Sequence, residues 1–424
     1  VNKKADQTYT LLFIFTFTIA SGILRKWVFT SYAVGNIIFF IQLLVPYLLL
    51  VKDFKGLNKI FSIKLISFFL LYLFLQVLNP LQKTFLHGPI GILLHAIFWI
   101  TGFYYLFNKE KFNFQKYILV FVIIAFGEIV LGAIQYGLPQ GHFLNRYAAE
   151  QNVGNSIAAV GSAVRITGTF SYISGFSAYL LFHALFVWGL ILLEYRPAIT
   201  ISLLVAGLFA AFMNGSRGAT YVYIFIFVVF LIFEARKTNI SKFIFRLIVP
   251  AMLLYMVILL RGQLGIESTA TTALDNFQTR RNTGIEKGEE KSRFLWDYYA
   301  LVEKEYEYPL FGIGIGSTYQ GAVVLWGQSE ALIRHGYVES ELERYVLEGG
   351  FFLLLIRLIL TVYFCRMLFM PNYTKWMIGG LMFIAPITFN IFNIVFFMVG
   401  IIFLDQAYII KYNAELRARK SIQE

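Results

Sequence analysis

Residues 117–137 read YILVFVIIAFGEIVLGAIQYG, with Glu128 as their single charged side chain. A helix needs roughly 20 predominantly apolar residues to cross a bilayer, and this run has that length and character. Similar runs recur near 9–24, 33–51, 65–79, 89–107, 173–193, 197–213, 219–233, 243–260, 345–365, 376–390 and 392–410. Together they predict an all-α polytopic integral membrane protein of about 12 transmembrane helices. An even number of spans places both termini on one side.

Composition points the same way. The chain is 58% hydrophobic and 14% charged, whereas soluble domains carry roughly 25% charged residues. Mean hydropathy is +0.68. No cleavable signal peptide is expected, because no small-residue cleavage site follows the first apolar run. The single cysteine, Cys365, excludes structural intrachain disulfides and Cys-cluster metal sites. A net charge of +12 would suggest nucleic acid in a soluble protein. In a polytopic one it reflects loop lysines, so no nucleic-acid partner is expected. No repeat of 20–50 residues is visible, and residues 1–424 read as one membrane domain.

The loops orient the chain. Lys3, Lys4, Lys52, Lys55, Lys59, Lys64, Lys109, Lys111, Lys116, Lys237, Lys242, Lys375 and Lys411 fall on one side, which the positive-inside rule makes cytoplasmic, termini included. The opposite side has short loops carrying little beyond Arg25, Lys26, Lys83 and Arg217, and two long ones, about 138–172 and 262–344. The second is too long for a connector and too hydrophilic to be buried in lipid, which marks it as functional or disordered. Trp296, Tyr298, Tyr299, Leu301, Val302 and Tyr306 give its middle a helical spacing.

Most arginines cluster on this second face, where positive charge is normally scarce. Arg165 precedes the sixth span, Arg217 sits in the turn Asn214-Gly-Ser-Arg-Gly218, Arg293 opens the loop helix and Arg334 abuts His335. Arginine suits a phosphate clamp, because its planar fork donates two parallel hydrogen bonds and keeps its charge in a low-dielectric site. The alternative is an arginine that anchors a helix end. A base for a substrate hydroxyl is available in the run from Arg334 to Arg344, from His335, Glu339 or Glu341. Those carboxylates also suit a helix start. Glu128 and Glu348 lie within apolar spans as buried ionisable groups, and Arg357, nine residues beyond Glu348, is too far along a helix to share its face. His87, His95, His142 and His183 lack metal-ligand spacing, so no metal is expected. Gly312, Gly314 and Gly316 lack the flanking strand and the Lys-Ser/Thr of a nucleotide loop; they read as sites of close backbone approach.

The motif order Arg165-Ile-Thr-Gly-Thr-Phe170, Gly215-Ser-Arg-Gly-Ala219, Ser292-Arg293 before a Trp-bearing helix, Pro309-Leu-Phe-Gly-Ile-Gly-Ile-Gly316, His335 and Glu348-Gly-Gly350 resembles the bacterial O-antigen polymerase and O-antigen ligase superfamily, over about residues 117–365. The resemblance implies a glycosyltransferase of the bacterial inner membrane, with its active site at the periplasmic face and 262–344 as a large periplasmic loop. Its donor would be an undecaprenyl-pyrophosphate-linked glycan and its acceptor a second glycan, with no cofactor. A chain-length regulator would be a further partner. Arg217 and Arg293 then become pyrophosphate contacts with Arg165 as a helper, and His335 the residue assisting the acceptor; Arg334 stays a pyrophosphate candidate on its place in the sequence alone. The ligase pattern reads His-Asn with Glu-x-Gly about nine residues on. Here His335 precedes Gly336 and Glu348 lies thirteen residues on, which leaves Glu339 and Glu341 as rival bases and favours a repeat-unit polymerase over a ligase. A lipid-linked glycan transporter is the reading from another class.

Overall fold

The computed structural model describes residues 6–29, 31–51, 53–82, 84–148, 159–160, 163–234, 306–319, 327–335, 340–384, 387 and 391–423. Among them, eight helices are long and apolar enough to cross a membrane, and the protein is a polytopic, essentially all-helical membrane protein. Among the described residues the one strand pairing is antiparallel, Ala159–Val160 with Ala163–Val164.

The helices in chain order are α1 (Gln7–Ile23), α2 (Tyr32–Leu44, continued to Val51), α3 (Phe54–Phe61), α4 (Lys64–Val77), α5 (His87–Phe107), α6 (Ile118–Gly137), α7 (Ile173–Leu192), α8 (Pro197–Asn214), α9 (Arg217–Phe233), α10 (Glu330–His335), α11 (Glu341–Met367), α12 (Asn372–Ile384) and α13 (Ile391–Gln423). The expected spans at 65–79 and 219–233 correspond to the shorter apolar helices α4 and α9. The span at 376–390 overlaps α12, which is not among these apolar helices, and that at 243–260 lies outside the described residues. Boundaries follow local chemistry. Asp6 caps α1 by accepting from Thr8 N at 3.0 Å, Pro197 opens α8, and Gly215 closes it in the left-handed region at φ 64°.

At the centre, α7 packs along the first half of α13, where the run Ile394–Leu404 is apolar on every side, as a helix enclosed by others should be. Lipid gives helices no hydrophobic reason to associate, so close packing must hold them together. Gly189 lies against Phe403, where an added Cβ would come within 2.5 Å of the ring, and Gly400 lies against Leu185. Phe15, Phe121, Phe182, Phe186 and Phe396 fill the surrounding space; the Phe15 and Phe182 rings are 4.7 Å apart.

The end of the bundle that collects the lysines is bolted by carboxylates. Asp405 accepts from Tyr105 Oη at 2.7 Å and pairs with Lys109 at 2.8 Å. Asp53 accepts from Tyr104 Oη at 2.9 Å and pairs with Lys111. Glu234 accepts from Tyr373 and Tyr408. Lys109 and Lys111 therefore tie helix ends together.

One span departs from expectation in shape. Helix α11 starts at Glu341 and breaks at Gly350, where φ is 70° and ψ is −180°. Only glycine adopts that region readily. Pro309–Gly316 lies across the break and satisfies its backbone: Phe351 N donates to Pro309 O at 2.8 Å, and Leu347 O accepts from Ile313 N at 2.8 Å. The break folds the chain back, so that Arg357 Nη2 meets Glu341 Oε1 at 2.6 Å. On a straight helix those residues would be about 24 Å apart.

Candidate functional site

At the opposite end of the bundle from the lysine–carboxylate bolts, α1 finishes in a π-helical turn, Leu24–Val28. Such turns widen the helix and redirect side chains, often at functional positions. Here the turn sends Arg25 and Lys26 to different neighbours. Lys26, 1% exposed, donates from Nζ to Thr167 Oγ1 at 2.6 Å and Gly168 O at 2.9 Å. From the other side, Glu128 of α6 accepts from Thr169 N at 3.1 Å and Thr169 Oγ1 at 2.7 Å. Gln135, further along α6, accepts from Gly168 N at 2.8 Å and donates to Gly168 O at 2.8 Å. Lys26 and Glu128 thus hold the Thr167-Gly168-Thr169 turn from its two sides. Gly22 lets α1 approach this turn, since a Cβ there would lie 2.4 Å from Thr169 O.

That turn fixes the residue leading into it. Arg165 Nε donates to Asn214 O at 3.1 Å, while Asn214 Nδ2 donates to Ile166 O at 3.0 Å and Asn214 Oδ1 accepts from Ser177 at 3.0 Å. A Cβ on Gly215 would sit 3.3 Å from the Arg165 side chain. Two residues on, Arg217 is the first residue of α9, after Ser216, whose side chain makes no capping bond. A Cβ on Gly218 would meet nothing within 4 Å. The N-terminal turn of a helix offers unpaired N–H groups and positive potential to an anion. Here Arg165 reaches the turn just before it, although the sequence separates Arg165 from Arg217 by the whole α7–α8 hairpin.

A second cluster surrounds Glu348, 1% exposed, in the last turn before the α11 break. Oε2 accepts from Gly316 N at 2.9 Å and lies 2.7 Å from His95 Nε2. Oε1 accepts from Thr318 N at 3.0 Å, from the Thr318 hydroxyl, and from Arg344 Nε at 3.4 Å. An ionised carboxylate only accepts, so His95 donates from Nε2. Tyr319 joins this cluster to α1: it stacks on Phe39 at 5.9 Å, with Arg344 over its own ring and Arg25 over the ring of Phe39, each at 5.6 Å. Burial raises the Tyr319 phenol well above its usual value, against the pull of Arg344 and Arg25. The glycines at 312, 314 and 316 serve close packing here. A Cβ on Gly316 would lie 2.1 Å from His87 O.

Of the residues expected to form the site, Arg165 meets the Asn214-Gly215 turn, and Arg217 follows that turn as the first residue of α9. Arg334 is exposed and paired with Glu307. Glu341 is buried and committed to Arg357, which gives that carboxylate a structural contact. The backbone of His335 ends α10, while its side chain, like the whole of Arg293 and Glu339, lies outside the described residues. Lys26, Gln135, His95 and Arg344 were not singled out by the sequence, and their partners are too distant along the chain to leave a spacing signal. Among the described residues no group of three or more His, Cys, Asp or Glu side chains is placed to hold a metal ion. Comparison with family models, with curated proteins and with solved structures finds no match to this chain.

Proposed function

We propose that the protein is a glycosyltransferase that polymerises polyprenyl-pyrophosphate-linked oligosaccharide repeat units at the periplasmic face of the bacterial inner membrane. The observation that supports this reading is the meeting of Arg165 with the Asn214-Gly215 turn, two residues before Arg217 at the start of α9. Two arginine forks beside a helix N-terminus suit a pyrophosphate whose charge grows as it leaves. In the reaction the acceptor hydroxyl oxygen bonds to the anomeric carbon and the carbon–oxygen bond to pyrophosphate breaks. The electron pair of that bond stays on the phosphate oxygen, and the hydroxyl proton passes to a base. With Glu341 engaged by Arg357, His335 and Glu339 are the residues proposed for that base, and Arg293 and Arg334 would add positive charge from the loop.

A ligase would use the same donor site with a lipid A core acceptor. A lipid-linked glycan transporter is favoured by a different observation, the broken α11 with its buried charges, because discontinuous helices are common in transporters. Glycan profiling of a deletion strain complemented with the wild type, Arg217→Ala or Arg217→Lys separates the three. Loss of long chains, with single repeat units still reaching the acceptor, is the expected result for both variants. Polymer accumulating on the lipid carrier indicates a ligase, and an unchanged profile with Arg217→Ala removes the pyrophosphate clamp and leaves the transporter.

A further inference from the structure

Glu348 does more in this fold than neutralise Arg344. Its two oxygens offer about four lone-pair sites. Those sites receive Gly316 N, His95 Nε2, Thr318 N, the Thr318 hydroxyl and Arg344 Nε. Nothing is left to take a proton from a substrate, so Glu348 is a fixed anchor rather than a base. Its main chain holds the same loop, accepting from Gly314 N at 2.9 Å.

What Glu348 anchors is the backbone on either side of Ser317. The carbonyl of Ser317 accepts the hydroxyl of Ser329, whose oxygen in turn accepts from Leu332 N at 3.3 Å, while Ser329 O accepts from Ile333 N at 3.0 Å. Ser329 thus caps α10, the helix whose last residues are Arg334 and His335. Ser317, Thr318 and Ser329 are each 2–3% exposed, so every link of this chain is shielded from competing water.

We infer that Glu348 is a positioning residue: through Gly316, Thr318 and the Ser317–Ser329 bond it fixes α10, and with it the placement of Arg334 and His335 at the reaction site. The positioning rests on geometry alone, and its consequence for transfer rests on the reading of His335 given above. The test places a nitroxide label at Ile333→Cys, an exposed position on α10 (56% exposed), in a Cys365→Ala background. A second label at Leu416→Cys on α13 serves as the reference. Glu348→Ala and, separately, Ser329→Ala are introduced into the purified full-length protein. Ser329→Ala cuts the link without touching the Glu348 cluster, so it remains informative where Glu348→Ala fails to fold.

The expected result is loss of the immobilised spectral component at 333 in both variants, with the label at 416 unchanged. Repeat-unit transfer should fall by up to about 100-fold, the size that a misplacement of roughly 1 Å can cost. A label at 333 that stays immobile in both variants overturns the positioning role, whatever happens to activity. A mobilised label with undiminished transfer upholds the positioning and counts instead against His335 and Arg334 as members of the site.

Discussion

Replacing Gly350 by alanine should destabilise the protein by about 3–5 kcal/mol, and the structure says where that comes from. The new Cβ would lie 2.0 Å from Leu310 O and 2.4 Å from Phe311 N, both backbone atoms that no side-chain rotation can move aside. Holding a non-glycine residue at φ 70°, ψ −180° costs about 1–3 kcal/mol. Displacing Pro309–Phe311 also breaks the bonds from Phe351 N to Pro309 O and from Phe352 N to Leu310 O, at about 1 kcal/mol each. The assay is an unfolding titration of the purified protein in detergent micelles with SDS. Gly127→Ala on α6 is the control, because a Cβ there meets nothing within 4 Å and alanine is the better helix former; that variant should match or slightly exceed the wild type. A Gly350→Ala protein unfolding with the wild type, or two glycine variants shifting together, would refute the account of the break.

Other consequences can be checked alongside it. Lys26→Met removes the donor to Thr167 Oγ1 and Gly168 O and should cost about 1–3 kcal/mol; stability equal to the wild type contradicts Lys26 as an anchor of that turn. Arg357→Met should cost about 3–5 kcal/mol by stranding Glu341, and a double-mutant cycle with Glu341→Gln should return a coupling well above the roughly 0.5 kcal/mol of independent sites. Asp53 sets a pH dependence. Partial burial pushes its carboxyl upward, but the hydrogen bonds from Lys111, Tyr104 and Gly56 N outweigh that and hold it below its usual value. Its stabilisation is therefore complete above the ordinary carboxylate pKa, about 4, and is lost as the pH falls through the lowered value. Wild-type protein should lose unfolding midpoint over that acid range faster than Asp53→Asn, and parallel profiles would count against the bolt.

The sequence by itself determined that this chain crosses a membrane many times, which ends of its helices share a face, and that arginine gathers where lysine is scarce. Those are local properties: the length of an apolar run and the charge of the loop beside it are set by neighbours in the chain. Arg165 and Arg217 could be singled out because each stands in a glycine-containing turn at a span boundary. The tertiary structure alone decided the rest. Glu348 reads as an odd carboxylate in an apolar helix until α5 brings His95, 253 positions away, to 2.7 Å. The helical run from Glu341 to Met367 carries only Gly349-Gly350 as a sign of weakness. Its break at Gly350 exists because Pro309–Gly316 supplies hydrogen-bond partners from outside it. Lys26 looks like a loop charge, yet a π-turn buries it against Thr167 and opposite Glu128. A buried charge is tolerated only where another part of the chain supplies its partner, and which segment does so is settled by how the helices pack.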